Sequence, residues 1–382
     1  MDLTIRELSE QKKEFLSYFI GGKETSWREI YGNEIHKIIP LDFLLGSLRE
    51  GLINRLKSKP DISIYPMGYF EIPNGRIIGN GAVVDAESNL LYSEKLTFDK
   101  VLPGKVKAFK CGELVDESIV RLNDDRLKIK VPHKVINVLM PGMYIYGHWL
   151  IDLLPKLYLL KQRLDLKKYK LALPEDIPSY SLEFLKLVGL SQEDIIYFKP
   201  EEEIIECKLV VLPTKCRIID GSWIAPYVGT MYDEIRANLQ TSNLKVARPE
   251  RLYLSRRRLK KQFRKLVNRE EVSELILSYG FTEIFPEDYT LEEQVNLYGD
   301  AKLMVGEFGS ALHNSLFGNK DLKVISLQSN HVPLLVQWGI CNVKGQSCSL
   351  IFGEAVEIRK SINSDFVIDL ALLKQVLDNY CK

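Results

Sequence analysis

No two cysteines stand at Cys-x-x-Cys spacing: the six, Cys111, Cys207, Cys216, Cys341, Cys348 and Cys381, are scattered along the chain. A scattered set frames neither a zinc site nor a disulfide scaffold, so reduced, mostly buried thiols are expected. No apolar run is long enough to span a bilayer, and residues 1–7 are charged, with no apolar signal segment. The expectation is a cytoplasmic protein. Charge of one sign is also lacking: the net charge is +1, which removes any general attraction to nucleic acid or anionic membrane. The Gly-x-Gly-x-x-Gly fingerprint, the Walker A loop and the Gly-x-Ser-x-Gly elbow are absent, which argues against a dehydrogenase, a P-loop nucleotidase and a serine hydrolase. There is no internal repeat and no low-complexity segment.

What is present is a chain of 382 residues with a hydrophobic fraction of 46%, enough core for two domains or one large one. Residues 1–60 read as a helical extension, with helix candidates over 6–19 and 41–57. From 62 to 127 short β-like runs are separated by Gly, Asn and Pro, including 62–66, 81–85 and 105–109. From 134 onward strands and helices alternate. Strands are expected at 134–140, 169–174, 195–198 and 203–213, and helices at 148–163, 179–188 and 225–239. Pro155 should kink or restart the first of these helices. A polar linker at 241–245 then leads to a second alternation: strand 251–255, helix 270–279, strand 281–285, helix 291–298, and strands at 302–305 and 322–327. A terminal helix over 366–380 is expected to pack back across the first domain. Alternation at this length implies βαβ units and parallel sheets.

Three constellations carry candidate chemistry. The first is Gly306-Glu307-Phe308-Gly309-Ser310-Ala311-Leu312-His313-Asn314, where a strand feeds a short helix through a Gly-bearing turn. Such a turn aims backbone N–H groups and the positive helix end at whatever lies above the sheet, and phosphate suits it. The same residues also describe a tight βα turn with a Ser cap. The second is Ser255-Arg256-Arg257-Arg258 at a strand end. Its forked, permanently charged donors match phosphate geometry, although with Lys260, Lys261, Arg264 and Lys265 they also describe a solvated basic loop. The third is His148 and Asp152, four apart and therefore on one helix face. Either could take a proton from a hydroxyl, with the other orienting it. Two ligands at this spacing make only half of a metal site, and no metal is expected.

Taken together and in order, three blocks resemble glycosyltransferase family 61. Residues 146–157, with His148, Trp149, Asp152, Pro155, Lys156 and Leu157, are similar to its His-Trp-x-x-Asp-x-x-Pro-[Lys/Arg]-Leu block. Tyr253-Leu254-Ser255-Arg256-Arg257 is similar to its strand ending in Ser-Arg-Arg, and Asn268-Arg269-Glu270 to the Asn-Glu segment that follows. Residues 306–317 resemble its Gly-[Ser/Ala]-x-Leu-x-Asn-x-x-Phe block, except that Phe308 stands where many members carry His. The resemblance covers roughly residues 130–330.

It implies an α/β, GT-B-like fold with two Rossmann-like domains facing across a cleft: 61–243 on the acceptor side and 244–360 on the donor side, flanked by the extension at 1–60 and the helix at 361–382. It implies inverting transfer from a nucleotide diphosphate sugar, with no cofactor and no obligatory metal, to a glycan or glycolipid hydroxyl in surface polysaccharide assembly. Peripheral association with the inner membrane or the assembly machinery follows, and nucleic acid is not a partner. The site it implies has Asp152 as the base with His148 second. Arg256 and Arg257 hold the diphosphate, Gly309 and Ser310 give backbone donors, Glu307 takes a hydroxyl of ribose or sugar, and Asn314 completes the donor pocket. Two other readings remain: a nucleotide-sugar epimerase of the same architecture, and an inactive binding module of an assembly complex.

Overall fold

A computed structural model describes residues 2–7, 25–48, 53, 61–87, 89–92, 107–115, 119–121, 125–218, 222–239, 248–259, 263–358 and 364–382. The chain divides into two compact units, Met1–Glu34 with Ile64–Ile218, and Ile35–Ser63 with Ile219–Lys382.

In the first unit the long strand Glu203–Pro213 runs parallel to Leu127–Ile136, which is followed outward by Lys170–Pro174 and Ile195–Phe198, also parallel. Lys170–Pro174 and the end of Glu203–Pro213, residues 210–213, are buried on both faces, as expected where helices cover a parallel sheet. On its other side Glu203–Pro213 pairs antiparallel with Met67–Pro73 and Arg76–Ile78, and the sheet continues through Ala82–Val84, Asn89–Tyr92 and Asp2–Glu7. Chain order along the parallel set breaks between Glu203–Pro213 and Leu127–Ile136.

In the second unit the strand order is Thr282–Ile284, Arg251–Leu254, Leu303–Glu307, Lys323–Ser329, Ser347–Glu357, all parallel. The chain goes from Arg251–Leu254 to one side and returns on the other through Leu303–Glu307, so the order reverses between these two strands. In open α/β sheets such a reversal leaves a crevice at the carboxyl ends of the strands, where ligands bind. The core beneath it joins Tyr253, Val305, Ile325 and Leu327 of the sheet to Val272, Ile276, Leu373 and Val376 of two helices.

Several expectations are corrected. Residues 43–46 are not helical: Phe43–Gly46 is a strand, parallel to residues 349–352. The expected N-terminal helical extension is strand-rich where described, with Asp2–Glu7, Ser26–Tyr31 and Glu34–Lys37; most of the 6–19 helix candidate and the 241–245 linker lie outside the described residues. Residues 107–109 form a helical turn rather than a strand. The chain leaves the first unit at residue 218, not near 243, and the helix Tyr227–Leu239 packs on elements of the second unit. A helix, Val336–Lys344, and a strand, Ser347–Glu357, follow what was expected to be the last strand. The terminal helix is Leu370–Tyr380, preceded by a short strand Asp365–Val367, and it buries Leu373, Val376 and Leu377 in the core of its own unit rather than on the first.

Candidate functional site

In the first unit the site begins where Leu127–Ile136 ends. The helix that follows is not uniform: Tyr146–His148 is α, Trp149–Leu153 is a π-turn, and Leu154–Lys161 is α again. Pro155 explains the wide turn. It has no N–H for the carbonyl four residues back, that of Ile151. The helix widens, with the Leu154 N–H donating to the Trp149 carbonyl. The Cys216 thiol supplies the missing donor to the Ile151 carbonyl at 3.0 Å. Single π-turns inside α-helices are frequent at functional sites.

Asp152 sits in this turn and is fully buried. Its Oδ2 lies 2.7 Å from His148 Nδ1, and its Oδ1 accepts from Arg217 Nε at 2.6 Å. Burial alone would push the Asp152 carboxyl up, but the Arg217 charge and the His148 hydrogen bond outweigh it and hold the group well below the usual carboxylate range. Both oxygens are committed and the group stays ionised, which suits a group that orients and charge-balances better than one that takes a proton. His148 is partly exposed, with its side chain at 26%. With Nδ1 on Asp152, Nε2 is the nitrogen left to face a reactant. The turn before the helix is shaped around that ring. Gly142 has φ +102°, and an added Cβ would lie 2.8 Å from His148 Cδ2 and 2.9 Å from Nε2.

Cys216 and Arg217 follow Glu203–Pro213, the strand on the far side of the break in chain order. The pair therefore grips the π-turn twice, thiol on backbone and guanidinium on carboxylate. Burial pushes the Cys216 thiol up to about 12, so it is a hydrogen-bond donor and not a nucleophile. Sequence reading missed both residues, because no motif marks the link between residues 65 apart.

In the second unit the reversal of strand order brings Ser255-Arg256 beside Phe308-Gly309. Buried Ser255 turns the chain by accepting the Arg257 N–H at 3.3 Å. Two guanidinium groups converge on the Gly309 turn: a Cβ built on Gly309 would stand 3.7 Å from Arg264 Nη2 and 3.9 Å from Arg256 Nη1. Burial lowers the pKa of Arg256. Burial, and then the like charge of Arg256, push Arg264 down to about 10. Arg264 has positive φ (61°) and lies over the Phe308 ring at 5.4 Å, so Phe308 seats a cation. The amides of Gly309, Ser310 and Ala311 donate to no acceptor among the described residues. Two partly buried like charges beside three adjacent N–H groups without an acceptor suit a multiply charged anion.

Arg256, Gly309 and Ser310 are thus brought together as expected, and Arg264, read as part of a basic loop, joins them. Arg257 is not: it pairs with Glu270 at 2.9 Å and reaches Glu283 at 3.8 Å. Glu307 is buried, and each of its oxygens accepts from Arg269, with contacts of 3.0 and 3.1 Å, so the structure shows it in a buried ion pair. Arg269 belongs to the Asn-Arg-Glu segment and had been given no role. Asn314 is fully buried and donates to Gln294 Oε1 at 2.9 Å, inside the protein. The turn after Ala311 is a 3₁₀ segment, Leu312–Phe317, buried throughout; His313 faces Gln337 at 3.1 Å. Among the described residues no three His, Cys, Asp or Glu side chains cluster as a metal site would require, and no helix is long and apolar enough to cross a membrane.

Open parallel α/β sheets bind ligands at the carboxyl ends of strands where chain order reverses, and they do so for many unrelated activities. Residues 146–325 match the family described as Glycosyltransferase 61, a stretch just short of half the chain. The match starts at the helix of His148 and Asp152 and ends in the strand after the Gly309 turn. This match supports glycosyl transfer as the class of activity. A search of curated proteins finds no match.

Proposed function

We propose that this glycosyltransferase is an inverting enzyme of GT-B type. It moves a sugar from a nucleotide diphosphate sugar to a hydroxyl of a glycan or glycolipid in surface polysaccharide assembly, at the cytoplasmic face of the membrane. The observation that carries the donor assignment is the approach of Arg256 and Arg264 to the Gly309 turn. A diphosphate placed there relieves the repulsion between the two guanidinium groups and gains the free backbone N–H donors. The same charges stabilise the leaving diphosphate as its bond to the anomeric carbon breaks.

The base in this proposal is His148, with Asp152 behind it. His148 Nε2 takes the proton of the acceptor hydroxyl while the hydroxyl oxygen bonds to the anomeric carbon. The Asp152 carboxylate fixes the tautomer through Nδ1 and balances the imidazolium, and Arg217 keeps that carboxylate ionised. Asp152 is a positioning residue here, which reverses the order of the two candidates expected from sequence.

The test is a thermal-shift screen against nucleoside diphosphates and their sugars, followed by product analysis with the donor that binds. Ligand at about 100 times its Kd stabilises the native state by about 2.7 kcal/mol. Acceptor-dependent release of nucleoside diphosphate is expected. An isomerised nucleotide sugar formed without acceptor would make the chain an epimerase, and a flat response to every nucleotide would overturn the donor site.

A further inference from the structure

The turn that leads into the His148 helix exposes apolar surface where a buried protein face would not. Tyr144 is 36% exposed and Ile145 is 51% exposed. Neither is loose. The Tyr144 phenol donates to Asp176 Oδ1 at 2.9 Å, and the Tyr144 carbonyl accepts from the Tyr180 hydroxyl at 2.8 Å. Tyr180 stands edge-on to Tyr146 with centroids 5.4 Å apart, and Phe184 stacks on Trp149 at 5.9 Å. The Tyr144 ring is therefore held through its phenol, and its backbone through the aromatic ladder that leads to the interior. The turn is tied to the catalytic helix as well: the Ile145 N–H donates to the Gly142 carbonyl at 2.8 Å and the His148 N–H to the Ile145 carbonyl at 2.9 Å. Asp176 follows the strand Lys170–Pro174, the neighbour of Leu127–Ile136, so it lies at the same carboxyl edge. Its Oδ2 has no partner among the described residues.

We propose that Tyr144, Ile145 and Asp176 form a subsite for a neutral pyranose ring, the acceptor sugar, beside His148. This rests on the reading of the chain as a transferase with His148 as base. A pyranose has an apolar C–H face and a rim of hydroxyls. A fixed Tyr ring and an Ile side chain match the face, and a carboxylate with a free oxygen matches the rim. Glu175 lies near Lys199, but the Asp176 carboxylate next to the Tyr144 ring disfavours an anionic group placed against that ring. Because the ring is already held, binding does not have to order it.

The test is saturation-transfer NMR with a panel of neutral methyl glycopyranosides on the full chain, alongside the nucleotide thermal shift. Saturation should reach the ring C–H protons of at least one glycoside. Tyr144→Ala should weaken that binding about tenfold and Tyr144→Phe far less, because the ring supplies most of the contact. Asp176→Asn should weaken it about threefold or more, by loss of a charged acceptor. Should Tyr144→Ala melt early, Ile145→Asp provides the same test from the neighbouring side chain. All variants should keep the wild-type nucleotide shift. A panel that gives no saturation, or variants that bind as wild type, overturns the subsite even if nucleotide binds. Glycoside binding without any nucleotide shift overturns the donor reading and leaves the subsite standing.

Discussion

Replacing Asp152 by Asn changes one atom type in a fully buried group and probes the assignment of base directly. In the native protein both carboxylate oxygens accept short charge-assisted hydrogen bonds, at 2.6 Å from Arg217 and 2.7 Å from His148. An Asn offers one acceptor and one donor. If its NH₂ faces Arg217, two donors collide and a mostly buried guanidinium loses its counter-charge. If the NH₂ faces His148, Nδ1 must become the acceptor, the proton moves to Nε2, and the nitrogen facing the substrate can no longer act as a base. The second arrangement is the cheaper, because it keeps the Arg217 bond. Losing the charge of one partner in a buried pair costs about 3–5 kcal/mol, so the melting temperature should fall by on the order of 10 °C. Turnover should fall by about 10²–10⁴, the usual share of a positioned base. The assay is nucleoside diphosphate release from the donor that stabilises the protein, at a temperature well below both melting points. If the two residues work as a unit, His148→Ala with Asp152→Asn should be no slower than His148→Ala alone. An Asp152→Asn protein within about threefold of wild-type turnover would refute the reasoning, and additive losses would make Asp152 an independent participant rather than a partner of His148.

Three further outcomes follow from the geometry. Asp152 has a folded pKa below its ordinary 3.8. Its contribution to stability is therefore complete above that pH and is lost as the pH falls below it toward the folded value; unfolding midpoints at pH 7, 5, 4 and 3 should show this loss, and Arg217→Gln should flatten it. Arg264→Gln or Arg256→Gln should weaken nucleoside diphosphate binding about 10- to 100-fold by titration calorimetry, while Arg257→Gln, whose guanidinium serves Glu270 and Glu283, should change it less than about threefold. Because it removes one of two like charges, Arg264→Gln should leave the melting temperature of the free protein unchanged or raise it, and a marked fall would contradict the anion site. Gly142→Ala should displace the His148 ring and cost about 10²-fold in turnover, since the new Cβ would approach Nε2 at 2.9 Å, with a shift of only a few degrees in melting temperature.

The alternation of strands and helices between 134 and 330 was legible because each element carries its own periodicity and its own stop signal. So was the pairing of His148 with Asp152, since residues four apart are neighbours on a helix surface. Where the fold depends on distant pairing it was not. Phe43–Gly46 has an apolar run that suits a helix equally well, and only its partner some 300 residues away makes it a strand. Val336–Lys344 contains Gly339 and two Val, poor helix formers, and is held by tertiary contacts on its buried face. The candidate site divides in the same way. Arg256, Gly309 and Ser310 were readable at their strand ends. The partners that decide what a side chain is free to do were not: Arg269 occupies Glu307, Glu270 occupies Arg257, and Arg217 engages the second oxygen of Asp152.

The π-turn has a consequence for how this segment tolerates length change. A π-turn is an α-helix carrying one residue too many, and each α-helical residue advances the face by about 100°. The wide turn takes up that extra residue locally, so the α-helical residues on either side of it keep their faces. A deletion between Trp149 and Leu153 would remove the slack while Pro155 still lacks an N–H, and Asp152 should shift against His148 and Arg217. The length of the turn, and not only the identity of its residues, sets where that carboxylate stands.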